Sequence, residues 1–447
     1  MGLPQVPWAG MVMNVVSKGL RRYGRSLKVN VINLVFVSSG FGATRLLALG
    51  ISVLVARLAG AEVFGEFTLF MAVLVIASTI GENLDTTFMR FASSPGVEGE
   101  EARFHAVHIL AKVLYATGVS VLGWVLAPLV ADLVFHKPES ALLIRAAVAA
   151  GGLVSVYNAI IGFYRRRQRF FMVAGLVPAF NLTVLVALGG LAVAGSSLDA
   201  SLLAYVYVFV AAALALVSVA RLLAMRRSLY GRAWTGLAGF FRVAAPLMGA
   251  SALGLIANRL DVFFLASYAA FADLGQYGAA IRIAAVLGVL SGAFMTILLP
   301  KAATAIHDPA RLKRYLAVGG FYSALFTVAA AALVAFIEPV MSLLFGAQFR
   351  GAASIAILLV VKMGLETYAY PFQAMIQCGP RPADMVYLSA GRLAITALLL
   401  VVLVPQLGIM GGAYAVASAS AIMFAATSAI ALINAWPRAQ IKAEEGV

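Results

Sequence analysis

The feature that most constrains this chain is a succession of apolar runs, each about 20 residues long, that fills almost its whole length. Backbone amides in hydrocarbon must be paired within the chain, so a spanning protein is either helical or a closed barrel. Runs of this length select helices, because barrel strands would be short and alternating. Composition agrees: 63% of residues are hydrophobic and 11% charged, against about a quarter charged in an ordinary soluble domain. A soluble globular fold is excluded. Spans are expected near 31–57, 66–90, 107–131, 141–163, 171–195, 201–224, 240–267, 275–299, 315–337, 352–376, 384–404 and 409–435. The predicted class is therefore an all-α polytopic membrane protein with about twelve transmembrane helices.

The 33 Lys and Arg against 18 Asp and Glu give a net charge of +15. Cytoplasmic connections collect basic residues, which supplies an independent test of the spans. One side receives Lys18, Arg21, Arg22, Arg25 and Lys28, then Arg165, Arg166, Arg167 and Arg169, then Arg226, Arg227 and Arg232. The same side takes Lys301, Arg311, Lys313, Arg314, Arg381, Arg438 and Lys442, while the other has little beyond Lys137, Arg145 and Arg350. An even number of spans with both termini in the cytoplasm explains the charge, and no nucleic-acid partner is needed. Cys378 is the single cysteine, so no internal disulfide framework exists.

Residues 8–28 place Trp8, Val12, Val15, Val16, Leu20, Tyr23 and Leu27 on one helical face and the basic residues opposite. This is the pattern of an interfacial helix on the inner leaflet. A signal peptide would place its basic residues before the apolar stretch, not after it. The expected organisation is an interfacial helix over 1–30, six spans over 31–225, a basic linker over 226–239, six spans over 240–435 and a tail over 436–447. A short echo, Phe64-Gly65-Glu66-Phe67 against Leu274-Gly275-Gln276-Tyr277, suggests that the two halves are repeats. With six spans each, they would be related by an axis along the membrane normal.

Ionisable groups inside spans cost about 3 kcal/mol on insertion scales, so they mark where function is to be sought. Ser38, Arg45 and Ser52 share a face of span one, and Arg57 at its outer end reads as a snorkelling anchor. In span two, Ser78, Glu82 and Asp85 share a face. That carboxylate pair either carries a coupling proton or sodium ion, or is a structural pair satisfied by an arginine on a neighbouring helix. Span seven carries Ser251, Gly254, Asn258 and Asp261 along one stripe, with Arg259 on another flank, and span eight contributes Arg282. In span ten, Lys362, Glu366, Tyr370, Gln373 and Gln377 fall on one side, near a kink-forming Pro371. Lys362 and Glu366 can neutralise each other, but Tyr and Gln continuing the face favour a wet cavity.

His105 and His108 have a spacing seen in metal sites, but they lie at an expected cytoplasmic helix start beside Glu98, Glu100 and Glu101, which favours a solvated charged loop over a metal site. His136 and His307 stand alone in connections. There is no GxxxxGK[ST] loop, no GxSxG elbow and no CxxC pair, so no means of using nucleotide energy is visible and no cofactor is indicated.

Gly42 to Arg45, Ala56-Arg57-Leu58, Val63-Phe64-Gly65-Glu66-Phe67, Arg259-Leu260-Asp261 and Leu274-Gly275-Gln276-Tyr277 together resemble the oligosaccharide flippases of bacterial O-antigen and exopolysaccharide pathways. These belong to the multidrug, oligosaccharidyl-lipid and polysaccharide exporter superfamily. The resemblance covers nearly the whole chain in length, span number and charge layout. It implies two six-helix lobes forming a V around a central cavity that opens alternately to each side. The implied substrate is an undecaprenyl pyrophosphate-linked glycan moved from the cytoplasmic to the periplasmic leaflet of the bacterial inner membrane. Membrane lipids and polysaccharide polymerase or assembly proteins would be its partners. Coupling to a proton or sodium gradient would fall to Glu82, Asp85, Asp261 and Glu366, unless these are structural charges.

The residues fit that task physically. A pyrophosphate crossing a low-dielectric layer needs fixed cations, and Arg45, Arg259 and Arg282 are candidates because a guanidinium stays charged and binds phosphate in a forked geometry. Asn258, Lys362, Tyr370, Gln373 and Gln377 would offer hydrogen bonds and an aromatic edge to sugars. A multidrug cation antiporter of the same superfamily would need an acidic or apolar cavity, which the arginines oppose. A membrane glycan ligase or polymerase would need a large outer loop, whereas the connections here are short.

Overall fold

A computed structural model of the chain describes residues 8–92, 101–224, 234–306, 308–379, 381 and 384–444. The described residues are almost entirely helical and contain no strand. The helices are α1 (Trp8–Ala92), α2 (Glu101–Leu133), α3 (Ala141–Arg166), α4 (Phe170–Val193), α5 (Ala200–Ala224), α6 (Trp234–Ala257) and α7 (Leu260–Tyr268). They continue with α8 (Phe271–Val286), α9 (Gly288–Ala305), α10 (Pro309–Ala335), α11 (Ile337–Phe345), α12 (Ala352–Cys378) and α13 (Asp384–Glu444). Single 3₁₀ turns, Pro138–Ser140 and Ala347–Phe349, precede α3 and α12.

Among the described residues nine helices are long and apolar enough to cross a membrane, or ten if the bent pair Phe271–Val286 and Leu290–Ala305 is one span. The difference from the expected twelve centres on α1 and α13, whose apolar stretches of 52 and 51 residues are each counted once. Each exceeds what about 30 Å of hydrocarbon requires, and each is broken by a glycine. Gly60 has φ 83° and Gly408 has φ 57°, a region that a side chain disfavours. At Gly408 the chain turns back on itself: a methyl on Gly411 would collide with the carbonyl of Leu403, which an unbroken helix would hold about 12 Å away.

The first half packs as one bundle, with α3 against α1, α2 and α5, and α4 against α1. In the second half α12 is central, touching α8, α9, α10 and α13. The seam between the halves runs along α1, which meets α8 directly. There Gly65 and Gly275 face each other. A methyl on Gly65 would overlap the Phe271 carbonyl, and one on Gly275 would overlap the Ala61 carbonyl. Each glycine thus lies over the carbonyl four residues before the other, and the two copies of the sequence echo pack on one another. Small residues at such a crossing let backbones approach closely.

Beneath the glycines the seam is aromatic. Phe64 is fully buried and packs on Phe345 and Phe349 of the second half, with ring centroids 5.9 and 5.7 Å away. The seam lies at the end of the molecule carrying Lys137 and Arg350, and the basic residues 165–169 are at the opposite end of α3. The basic face of residues 8–28 and the linker basic residues Arg226, Arg227 and Arg232 lie outside the described side chains, as does His307.

Candidate functional site: a cavity between the halves

The span-one face expected to be polar, Arg45 and Ser52, turns from α1 toward α8. Together with Asn181 of α4, Tyr207 of α5 and Arg282 of α8 it lines a chamber of about 680 Å³, otherwise walled by apolar side chains. A second chamber of about 490 Å³ is lined by Asn258, Arg259, Asp261, Lys362, Glu366, Tyr370, Gln373 and Arg392. Val75, Ala285 and Met363 border both, so the two chambers adjoin.

Arg282 crosses from the second half to the first, its Nε donating to Ser52 Oγ at 2.9 Å. Its guanidinium carbon lies 6.0 Å from the Phe67 ring centroid. Arg45 crosses the other way: a methyl on Gly288 would stand 3.7 Å from its Nη1. Arg259 sits where the seventh span is broken between α6 and α7, as the N-cap of α7. Five basic side chains, Arg45, Arg259, Arg282, Lys362 and Arg392, border the two chambers, and guanidinium groups remain charged there.

Glu366 offsets part of that charge. Lys362 Nζ lies 3.4 Å from its Oε1, and Arg392 of α13 bonds the same oxygen. Two cations share one carboxylate. Arg392 was not singled out in the sequence, although a lone arginine within an apolar run is a signal of the same kind as Arg282. Asp261 is buried and engaged, its Oδ2 accepting from Tyr277 Oη at 2.7 Å and its Oδ1 from the Val262 amide at 2.9 Å. Gln377, expected to extend the span-ten stripe, is exposed and lines neither chamber. It lies one full turn beyond Gln373, at the end of α12.

The span-two carboxylates border a third pocket of about 580 Å³ within the first half, with Thr44, Asn158, Arg165 and Asn181, which adjoins the Arg45 chamber at Val154, Phe180 and Asn181. Asn158 Nδ2 donates to Glu82 Oε1 at 3.3 Å. Asp85 is held from α2: His108 Nε2 is 2.9 Å from its Oδ1, and Lys112 Nζ donates to its Oδ2 at 2.6 Å. Lys112 is fully buried and also donates to the Ser155 carbonyl at 2.7 Å. The partners of Asp85 are thus Lys112 and His108, and not an arginine of a neighbouring helix.

This corrects the reading of the histidines. His105 and His108 are buried in α2, not in a solvated connection, and the His108 ring stacks on Phe88 at 4.4 Å. The helix begins at Glu101, earlier than the apolar run, so both rings fall inside the bundle. The missed signal is Lys112, four residues after His108 and on the same face. Among the described residues no cluster of three or more His, Cys, Asp or Glu has the geometry of a metal site.

Arg57, exposed at the end of its span, reaches across to the second half. Its Nε donates to the Leu344 carbonyl at 2.8 Å, and its Nη2 bonds the Leu343 carbonyl, at the end of α11 in the second half. The unpaired carbonyls of a helix C-terminus attract a guanidinium.

Over residues 31–304 the sequence matches the family described as polysaccharide biosynthesis protein. The chain belongs to that family. Comparison with curated protein sequences gives no match. Among solved structures it is similar to the lipid II flippase MurJ in an inward closed conformation, with TM-score 0.71, 15% identity, and 90% of this chain covering 91% of that one. It is also similar to an inward-facing multidrug resistance MATE transporter of the MOP superfamily, with TM-score 0.69, 16% identity, and coverage of 89% and 96%. An outward-facing MATE structure matches with TM-score 0.60 at 17% identity, with coverage of 92% and 96%. These likenesses establish the fold, one that the chain shares with MurJ and with the MATE transporters.

Proposed function

We propose that the chain is a flippase that moves an undecaprenyl pyrophosphate-linked oligosaccharide from the cytoplasmic to the periplasmic leaflet by alternating access, for O-antigen or exopolysaccharide assembly. The observation that carries this reading is that Arg45, Arg259 and Arg282, drawn from both halves, line two adjoining chambers. A pyrophosphate needs that field to leave water, and a cavity of this sign would repel an organic cation. The sugars would lie against Asn258, Lys362, Tyr370 and Gln373, and the lipid tail would remain in the bilayer. The protein is read as a transporter of the bacterial inner membrane, with the basic end and both termini in the cytoplasm, and not as an enzyme.

The mechanism follows from two halves that share few contacts away from α1. Rocking one against the other would expose the cations to each leaflet in turn. Binding energy from the arginines offsets the desolvation of the headgroup, and water on the far side releases it. Deletion of the gene, followed by leaflet-resolved analysis of lipid-linked glycans, tests the reading. Accumulation on the inner leaflet, reversed by the parent gene but not by Arg45→Ala or Arg259→Ala, is expected. Normal distribution in the deletion strain, or efflux of organic cations by the purified protein, would overturn it.

A further inference from the structure

The end of the cavity at the glycine seam is closed by bonds of an unusual kind. Lys137, in the turn before α3, donates from Nζ to the carbonyls of Ala266 and Ala269 at 2.7 and 2.6 Å, across the seam at the end of α7. Its ammonium also stands 4.2 Å from the Phe271 ring centroid. Gln348, in the turn before α12, makes the reciprocal bond: its Nε2 donates at 3.0 Å to the carbonyl of Ala56, in the last turn before the Gly60 break. Gln276 Nε2 donates to the Gln348 carbonyl at 2.7 Å and steadies that turn. Arg57 adds its two carbonyl bonds to α11.

Lys137 and Gln348 occupy matching places, each following the third span of its half and each reaching the end of the first span of the other. Each acceptor is a carbonyl from the last turn of a helix, where the helix itself runs out of donors. When such a bond breaks at a membrane surface, water takes its place, so each bond is individually weak and reversible. Together with the side-chain-free contact of Gly65 and Gly275, they form a closure that can part without stranding a buried ion.

We propose that Lys137, Gln348 and Arg57 form a latch in which each half caps helix ends of the other, and that this latch sets how often the cavity opens at the seam end. Its test needs no glycan, so it stands or falls separately from the substrate reading. In a Cys378→Ser background, Val75→Cys places a single thiol on the wall shared by both chambers. A membrane-impermeant charged thiosulfonate is added to sealed vesicles from the seam side and, separately, from the basic side.

In the parent background, labelling from the seam side should be slow. Lys137→Ala with Gln348→Ala should speed it by about tenfold and slow labelling from the basic side, the signature of a population shift. Lys137→Arg, which keeps a cationic donor, should label at nearly the parent rate. An unchanged seam-side rate in the double variant overturns the latch, and so does an equal rise from both sides, which would be a leak. If the double variant fails to reach the membrane, Arg57→Ala on the exposed rim gives the same two readings.

Discussion

Arg282 Nε and Ser52 Oγ are 2.9 Å apart, so a cation carried by the second half is aimed by a hydroxyl of the first. That hydroxyl donates in turn to the Ala48 carbonyl at 2.8 Å, which fixes its lone pairs toward the guanidinium. The tether is a hydrogen bond from a charged donor, and losing it costs about 1.5–3 kcal/mol of orientation. Ser52→Ala should therefore lower glycan translocation by about tenfold or more at unchanged protein level, and Ser52→Thr should restore it. Leaflet-resolved quantification of lipid-linked glycan measures both, and parent-level translocation in Ser52→Ala would reject the tether.

The Asp85, His108 and Lys112 network should behave as a buried ionic unit. Removing Lys112 leaves Asp85 short of compensation, at a cost of about 3–5 kcal/mol. Lys112→Met should lower the thermal midpoint in detergent markedly. Adding Asp85→Leu should recover much of the loss, since the stranded charge goes with it. Additive losses in the double variant would show that the two side chains do not act together.

Glu366 moderates the cavity charge because Lys362 and Arg392 share it. Glu366→Gln should release both cations and strengthen binding of inorganic pyrophosphate by several-fold, about 1 kcal/mol. Arg45→Gln with Arg259→Gln should weaken it at least as much. Stabilisation of the purified protein by pyrophosphate, at fixed ionic strength, reads the difference. Identical stabilisation of parent and both variants would place the anion elsewhere.

Gly60 and Gly408 carry positive φ at the two breaks. Substitution by Ala there should cost about 1–3 kcal/mol through backbone strain. Gly189, in α4 with open space beside it, should accept Ala with no loss. Unfolding of the three single variants in one detergent makes the comparison, and equal midpoints would show that the strain is relieved by local adjustment.

The helical class was legible because hydrocarbon forces internal pairing of the backbone, and each apolar run announces itself without reference to any neighbour. The likeness between residues 64–67 and 274–277 showed only as a four-residue echo. Its meaning, a crossing of Gly65 on Gly275, needed the fold, because nothing in one copy specifies that the other copy is its partner. Arg45, Arg259 and Arg282 were visible as charges in apolar runs, yet the partners of such charges were not. The acceptors of Arg57 are backbone carbonyls 286 and 287 residues away, and carbonyls leave no trace in sequence. Lys112 and Arg392 carry the same sequence signal as Arg282, a lone cation within an apolar run. His105 and His108 were misplaced because the acidic residues before them suggested solvent, although the helix had already begun.

At Gly65 and Gly275 the two halves meet main chain to main chain, so no rotamer has to be released when they separate. In the proposed cycle such a contact parts with little friction, and the pace of opening would be governed by the bonds around it and by the cargo. A methyl group at either position would act as a wedge, propping the door ajar with its loading chamber still intact.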